Sequence, residues 1–256
     1  MSALSIGLLQ GELRWHQPAA NRQHYGRLIE QSERCDLYVL PEMFTTGFTM
    51  RPAEVAEAMS GDTVTWMQAL AAETGAALCG SVVIAEGEQF YNRFLFVTAD
   101  GVQAQYDKRH LFTLAGEDRP YTAGQKRVVI DYRGWRICPQ VCYDLRFPVF
   151  SRNRGDYDVL IYVANWPRPR QHAWDTLLQA RAIENQAYCI GVNRIGQDDN
   201  GLKYQGGSAA IDYLGQPIYH AGDLPGVGRC QLSLQELQQH RRQLAFLADS
   251  DPFELI

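Results

Sequence analysis

The sequence predicts an α/β fold built on mixed β-sheets. Short apolar runs rich in β-branched residues recur along the chain and end in turn or polar residues, as buried strands do. Helix-like segments separate some of these runs. Others, in the middle and in the C-terminal third, follow one another directly. Alternation with helices implies parallel pairing through crossovers, whereas direct succession implies hairpins, so a purely parallel sheet is not expected.

Residues 6–9 form a first strand, and 21–34 a first helix. Residues 36–40 are a second apolar strand that runs straight into Pro41 and Glu42. A helix over 63–74 follows, with Asp62 as its expected cap. Residues 77–84, 90–97, 135–141 and 159–163 are further strands. In the helix expected over 172–187, Trp174, Leu177, Leu178, Arg181 and Ala182 fall near one side at three- and four-residue spacing. A strand over 188–193 and a meander over 206–211, 217–220 and 227–232 come next. The polar segment 235–247 ends the chain as a surface or partner-facing helix, an arm beginning near residue 233.

With 256 residues, no internal repeat and no low-complexity linker, a single domain over 1–256 is expected. Hydrophobic residues make up 46%, charged residues 21%, and the net charge is −5. Lys and Arg never cluster beyond two or three, which argues against nucleic acid or an anionic membrane as partner. The N-terminal segment lacks a basic region and a cleavage site, and no run approaches the ~20 apolar residues of a membrane span. A cytoplasmic protein is expected. Cys35, Cys79, Cys138, Cys142, Cys189 and Cys230 are scattered, which reads as free thiols. Cys138 and Cys142 lie four apart, with no second pair or His cluster, so no metal is expected.

Three segments carry groups capable of chemistry. Tyr38-Val-Leu-Pro-Glu42 places a lone carboxylate at the end of an apolar strand, where α/β proteins put functional groups; taken alone, the segment reads first as a solvated loop Glu. Tyr106-Asp-Lys108-Arg-His110-Leu-Phe holds a compact charged group between apolar residues, either a surface turn or a fixed cation in a pocket. Trp135-Arg-Ile-Cys-Pro-Gln-Val-Cys142-Tyr-Asp-Leu-Arg-Phe-Pro ends a strand at Cys142 and turns toward a helix. A thiol there meets backbone N–H groups that stabilise a thiolate or an oxyanion, although buried cysteines are also inert packing residues. A Cys–His site using His110 or His172 is the competing arrangement, but nothing local pairs either with an orienting residue.

Together with Asn165-Trp-Pro, Ala180-Arg-Ala-Ile-Glu-Asn-Gln and Val192-Asn-Arg-Ile-Gly, these segments resemble the nitrilase superfamily of carbon–nitrogen hydrolases, in that family's order. The resemblance implies a four-layer α-β-β-α sandwich with two mixed sheets, assembled as a homodimer. It implies Glu42 as general base, Lys108 as electrostatic partner and Cys142 as nucleophile, with Glu117 beside the lysine. The backbone N–H of Tyr143 is the expected second oxyanion donor, and no cofactor is required. One local departure is Pro139, which cannot donate a ladder bond and implies an edge or a bulge in its strand.

Within the superfamily the sequence most resembles the omega-amidases, which act on monoamides of 2-oxo dicarboxylic acids such as 2-oxoglutaramate and 2-oxosuccinamate. A small amide of this kind carries a carboxylate, for which Arg168 and Arg170 are the candidate partners, with Trp166 and Phe48 as candidate walls. A sibling hydrolase of nitriles, carbamoyl compounds or modified peptide amides stays open, as does a non-enzymatic redox-sensing or binding protein.

Overall fold

The computed structural model describes residues 3–255. The chain runs β1 (Ala3–Gln10), α1 (Pro18–Glu30), β2 (Leu37–Val39), α2 (Asp62–Thr74), β3 (Ala77–Glu86), β4 (Gln89–Thr98) and β5 (Gly101–Asp107). It continues through β6 (Ile130–Tyr132), β7 (Trp135–Val141), α3 (Pro148–Ser151), β8 (Val159–Ala164), α4 (Gln171–Asn185) and β9 (Tyr188–Asn193). The remainder is β10 (Ile195–Gln197), β11 (Lys203–Gln205), β12 (Ala209–Ile211), β13 (Pro217–His220), β14 (Gly226–Ser233) and α5 (Leu234–Gln243).

Two six-stranded mixed sheets form, in the orders β14-β1-β2-β3-β4-β5 and β13-β12-β9-β8-β7-β6. β1, β2 and β3 pair in parallel, as do β7, β8 and β9, and every other pairing within the two sheets is antiparallel. The period-two alternation of strand side chains builds the layers. Leu37 and Val39 of β2, with Val159, Ile161 and Val163 of β8, fill the core between the sheets. Tyr38 faces the opposite way, against Tyr25 and Ile29 of α1 and Met67 and Leu70 of α2. Leu160 and Tyr162 likewise meet Trp174, Leu178 and Ala182 of α4. The result is the expected α-β-β-α sandwich.

Each half follows one plan: a parallel three-strand unit with two helical crossovers, then two antiparallel strands. β1 to β5 carry it in one half, and β7, β8, β9, β12 and β13 in the other. This duplication leaves no repeat in the sequence. The halves differ at one junction. A tight turn joins β3 to β4, whereas β9 reaches β12 through the separate β10–β11 hairpin.

Several local expectations are corrected, and the edge expected at Pro139 is found. α1 starts at Pro18, whose missing N–H costs nothing in a first turn, and ends at Glu30. Asp62 lies inside α2 rather than capping it; the Thr63 N–H instead donates to Glu57 Oε2 at 2.7 Å. α5 is shorter than expected, and Ser233 caps it by accepting from the Glu236 N–H. At Pro139 the β7–β8 register runs without a bulge. β6 pairs with β7 only as far as Ile137, so that flank of the strand is already an edge at Pro139. Among the described residues no helix is long and apolar enough to cross a membrane.

Candidate active site

Glu42 lies three residues beyond β2, in a turn whose next residue, Met43, is left-handed with φ 42°. The Met43 N–H donates to Ser81 Oγ at 2.9 Å, and Ser81 Oγ donates to Asn92 Oδ1 at 2.7 Å. Asn92 Nδ2 then donates to Glu42 Oε1 at 2.7 Å and to Glu117 Oε1 at 3.2 Å. The other Glu42 oxygen accepts from the Asn165 backbone N–H at 2.8 Å, while Asn165 Nδ2 donates to the Glu42 carbonyl at 2.7 Å. Donors from β4 and from the end of β8 therefore leave this carboxylate a single orientation.

Lys108 is the first residue past β5. Its Nζ donates to Glu42 Oε1 at 2.9 Å and to Glu117 Oε1 and Oε2 at 3.0 and 2.9 Å. The Phe112 N–H also holds Glu117, at 2.6 Å. The three ionisable side chains are at most 1% exposed. Burial by itself favours a neutral Lys108, but the charges of Glu117 and Glu42 outweigh it and hold the ammonium above its ordinary pKa. Burial pushes the Glu117 carboxyl up, with Lys108 opposing and Glu42 adding to the rise.

Cys142 follows β7 directly and opens a short turn through Arg146, with φ 45°. A left-handed non-glycine residue of this kind costs of the order of 1–3 kcal/mol and persists only where its surroundings enforce it. Its residue is only partly exposed. Burial first, then the Glu42 charge, raise the thiol well above its ordinary pKa; Lys108 opposes, and a hydrogen bond with Glu42 keeps the proton on sulfur. The resting group is a thiol beside a carboxylate.

These groups meet in a cavity of about 280 Å³ lined by both Cys142 and Lys108. Phe48, Phe112, Tyr143 and Trp166 form its walls, and Asp198, Asn200, Leu202 and Tyr204 of the β10–β11 hairpin close one side. The Phe48 ring lies 5.1 Å from Lys108 Nζ. Trp166 Nε1 donates to the Arg170 carbonyl at 2.8 Å. Arg170 enters the cavity with its guanidinium 5.2 Å from the Phe112 ring centre. Arg168 does not enter it. The 3-10 turn Arg168–Arg170 sends its side chain to a separate surface depression beside Gln171, Asp175 and His220.

Among the described residues no histidine lines the cavity. His110 Nδ1 sits 2.7 Å from Asp144 Oδ1, with its ring stacked on Phe147, and His172 is exposed at the start of α4. A Cys–His arrangement thus lacks its base. No group of three or more His, Cys, Asp or Glu among the described residues is arranged to hold a metal ion.

Sequence reasoning missed Arg146, which also lines the cavity, with its guanidinium 4.9 Å from the Trp166 ring centre. The available signal was a cation in the short turn that Cys142 opens. It missed Asn92 as well, a lone amide inside the apolar run Phe90–Val97 and so a buried polar group in need of partners.

A family model described as carbon-nitrogen hydrolase matches residues 5–242. The chain belongs to the carbon–nitrogen hydrolase family. This hydrolase is 49% identical to a protein of Yersinia enterocolitica named omega-amidase YafV, over the whole of both chains. It is 30% identical to a 2-oxoglutaramate amidase of Bacillus subtilis, with 96% of each chain covered. Its fold matches the crystal structure of a CN-hydrolase superfamily protein from Xanthomonas campestris, which carries an arsenic adduct in its active site. The TM-score is 0.97 at 47% identity, with both chains fully covered. The hydrolase is an enzyme acting on carbon–nitrogen bonds.

Proposed function

We propose that this hydrolase is an omega-amidase that cleaves the terminal amide of 2-oxo dicarboxylic acid monoamides, 2-oxoglutaramate and 2-oxosuccinamate, through a thioester on Cys142. The observation that carries the reading is the buried Glu42–Lys108–Glu117 cluster lying against a strained thiol in one small cavity. The relatives named for omega-amidase and 2-oxoglutaramate amidase activity support the substrate class.

In this mechanism the Cys142 thiol attacks the amide carbonyl as its proton passes to Glu42. A raised thiol pKa requires this coupling, because little free thiolate exists at neutral pH. The oxyanion that develops is met by the Lys108 ammonium and the Tyr143 backbone N–H. Each well-placed donor is worth roughly 3 kcal/mol in the transition state. Glu42 then gives its proton to the departing nitrogen, ammonia leaves, and an acyl thioester remains. Water attacks the thioester as its proton passes to Glu42, and Cys142 recovers the proton as the 2-oxo acid departs. Glu117 acts by holding Lys108 in place, since it shares both oxygens with Nζ.

Arg170 and Arg146 are the proposed anchors of the substrate carboxylate. No hydrogen bond or ion pair occupies either guanidinium among the described residues, and each stacks on an aromatic cavity wall. Planar guanidinium groups held this way match a carboxylate at little entropic cost.

Ammonia release from a panel of 2-oxoglutaramate, 2-oxosuccinamate, glutamine, a simple nitrile and a carbamoyl amino acid tests the reading. The two 2-oxo monoamides are expected to give the highest kcat/KM, at least about 100-fold above the others, equivalent to ~3 kcal/mol. A preference for the nitrile or the carbamoyl compound overturns it.

A further inference from the structure

Asp144, two residues past Cys142 and fully buried, takes no part in the chemistry above. Each of its oxygens serves two groups. Oδ2 accepts from the Val141 N–H at 2.9 Å and the Tyr106 hydroxyl at 2.8 Å. Oδ1 accepts from the His110 N–H at 2.9 Å and meets His110 Nδ1 at 2.7 Å. Val141 and Asp144 bracket Cys142 in the chain, and Tyr106 and His110 bracket Lys108. We propose that Asp144 is a positioning residue that locks the Cys142 turn against the Lys108 segment and thereby sets the separation of sulfur and ammonium.

The strained Cys142 backbone needs such a lock. At φ 45° the turn relaxes unless it is held, and an acid at the third position of a turn that reaches back to the preceding N–H closes it. That bond fixes the turn to itself. The bonds to Tyr106 and His110 fix it to another part of the fold. His110 is stiffened in turn by stacking on Phe147 at 4.0 Å. The Asp144 side chain meets three donors, the Val141 N–H, the Tyr106 hydroxyl and the His110 N–H, and the His110 ring nitrogen besides. An asparagine offers an N–H₂ to one pair of them and opposes donor to donor.

The inference rests on Cys142 and Lys108 acting on one carbonyl, and the test separates the two claims. Asp144→Asn and Tyr106→Phe are compared with the parent in kcat, KM, Tm and the number of thiols alkylated by iodoacetamide, counted by mass spectrometry. For Asp144→Asn, kcat is expected to fall about 100-fold, the scale of a ~1 Å misplacement, with KM within threefold and alkylation confined to Cys142. For Tyr106→Phe, which removes one partner, a roughly fivefold fall in kcat is expected, in line with one net hydrogen bond. A folded variant with lowered Tm and kcat within twofold of the parent makes Asp144 merely structural and overturns the proposal. So does a loss carried by KM. If Asp144→Asn exposes the other five thiols, Tyr106→Phe alone decides. Turnover by a parallel Cys142→Ala control defeats the site reading itself, not the positioning.

Discussion

At the scale of single residues, charge placement separates the two arginines that follow Trp166. Arg170 enters the cavity and Arg168 leaves it, although both stand in one short turn. Replacing Arg170 or Arg146 by methionine keeps much of the stacked stem and removes the charge. Each change is expected to raise KM for 2-oxoglutaramate by about 10- to 100-fold, the worth of a charge-assisted hydrogen bond. KM for a short uncharged amide should stay within about twofold. Equal effects on both substrates, measured by steady-state ammonia release, contradict a carboxylate anchor. Glu42, Lys108, Glu117 and Cys142 were legible because they stand in recognisable segments; their chemistry alone left each with a bland alternative. Asn92 and Asp144 were hidden for a physical reason. A buried polar side chain is marked locally only by its own polarity; its role lies with partners distant in the chain, up to 50 residues away for Asn92 and 38 for Asp144.

Among secondary-structure elements, the β10–β11 hairpin closes one side of the cavity and was poorly legible. Its strands have three residues each, too few for a period-two pattern to register. β5 escaped notice because Gln103, Ala104 and Gln105 are not strand-like; its partner β4 decides it. The hairpin is held by Arg194, buried beneath the Tyr204 ring at 4.6 Å. Arg194 donates to the carbonyls of Ile195, Gln197 and Leu13 at 3.1–3.3 Å. Arg194→Met should loosen the hairpin while leaving both sheets in place. Limited proteolysis between residues 198 and 202 is then expected to quicken, and KM to rise at least several-fold. An unchanged cleavage rate would show that the hairpin stands without this anchor.

At the scale of the whole molecule, the mixed sheets were legible from the order of strands and helices, and the four-layer stacking through the family resemblance. The duplicated topology was not. Two halves can share a backbone plan while different side chains satisfy the same inward and outward pattern, as Leu37 and Val39 do in one sheet and Val159 and Ile161 in the other. The packed core has a consequence for pH. Burial pushes the Cys138 and Cys230 thiols up to about 12, and raises those of Cys79, Cys142 and Cys189 as well. Unfolded thiols ionise near 8.5. The folded chain therefore keeps protons that the unfolded chain loses. This stability is fully present below about pH 8.5 and is lost as pH rises toward the folded values, at roughly 1.4 kcal/mol per pH unit for each buried thiol. The urea midpoint is expected to fall steeply between about pH 8 and 10, and Cys138→Ala to flatten that fall. A midpoint constant over this range contradicts burial of the thiols in their protonated form.

The measurement that bears most directly on the account is ammonia release from 2-oxoglutaramate by Cys142→Ala, taken together with its Tm. Loss of one sulfur atom from the edge of a cavity should leave Tm within a few degrees of the parent. Turnover is expected below about one-thousandth of the parent rate, because Cys142 is the one thiol among the described residues that line the cavity. A folded variant that keeps a tenth or more of that rate removes Cys142 from the role of nucleophile, and the thioester route with it.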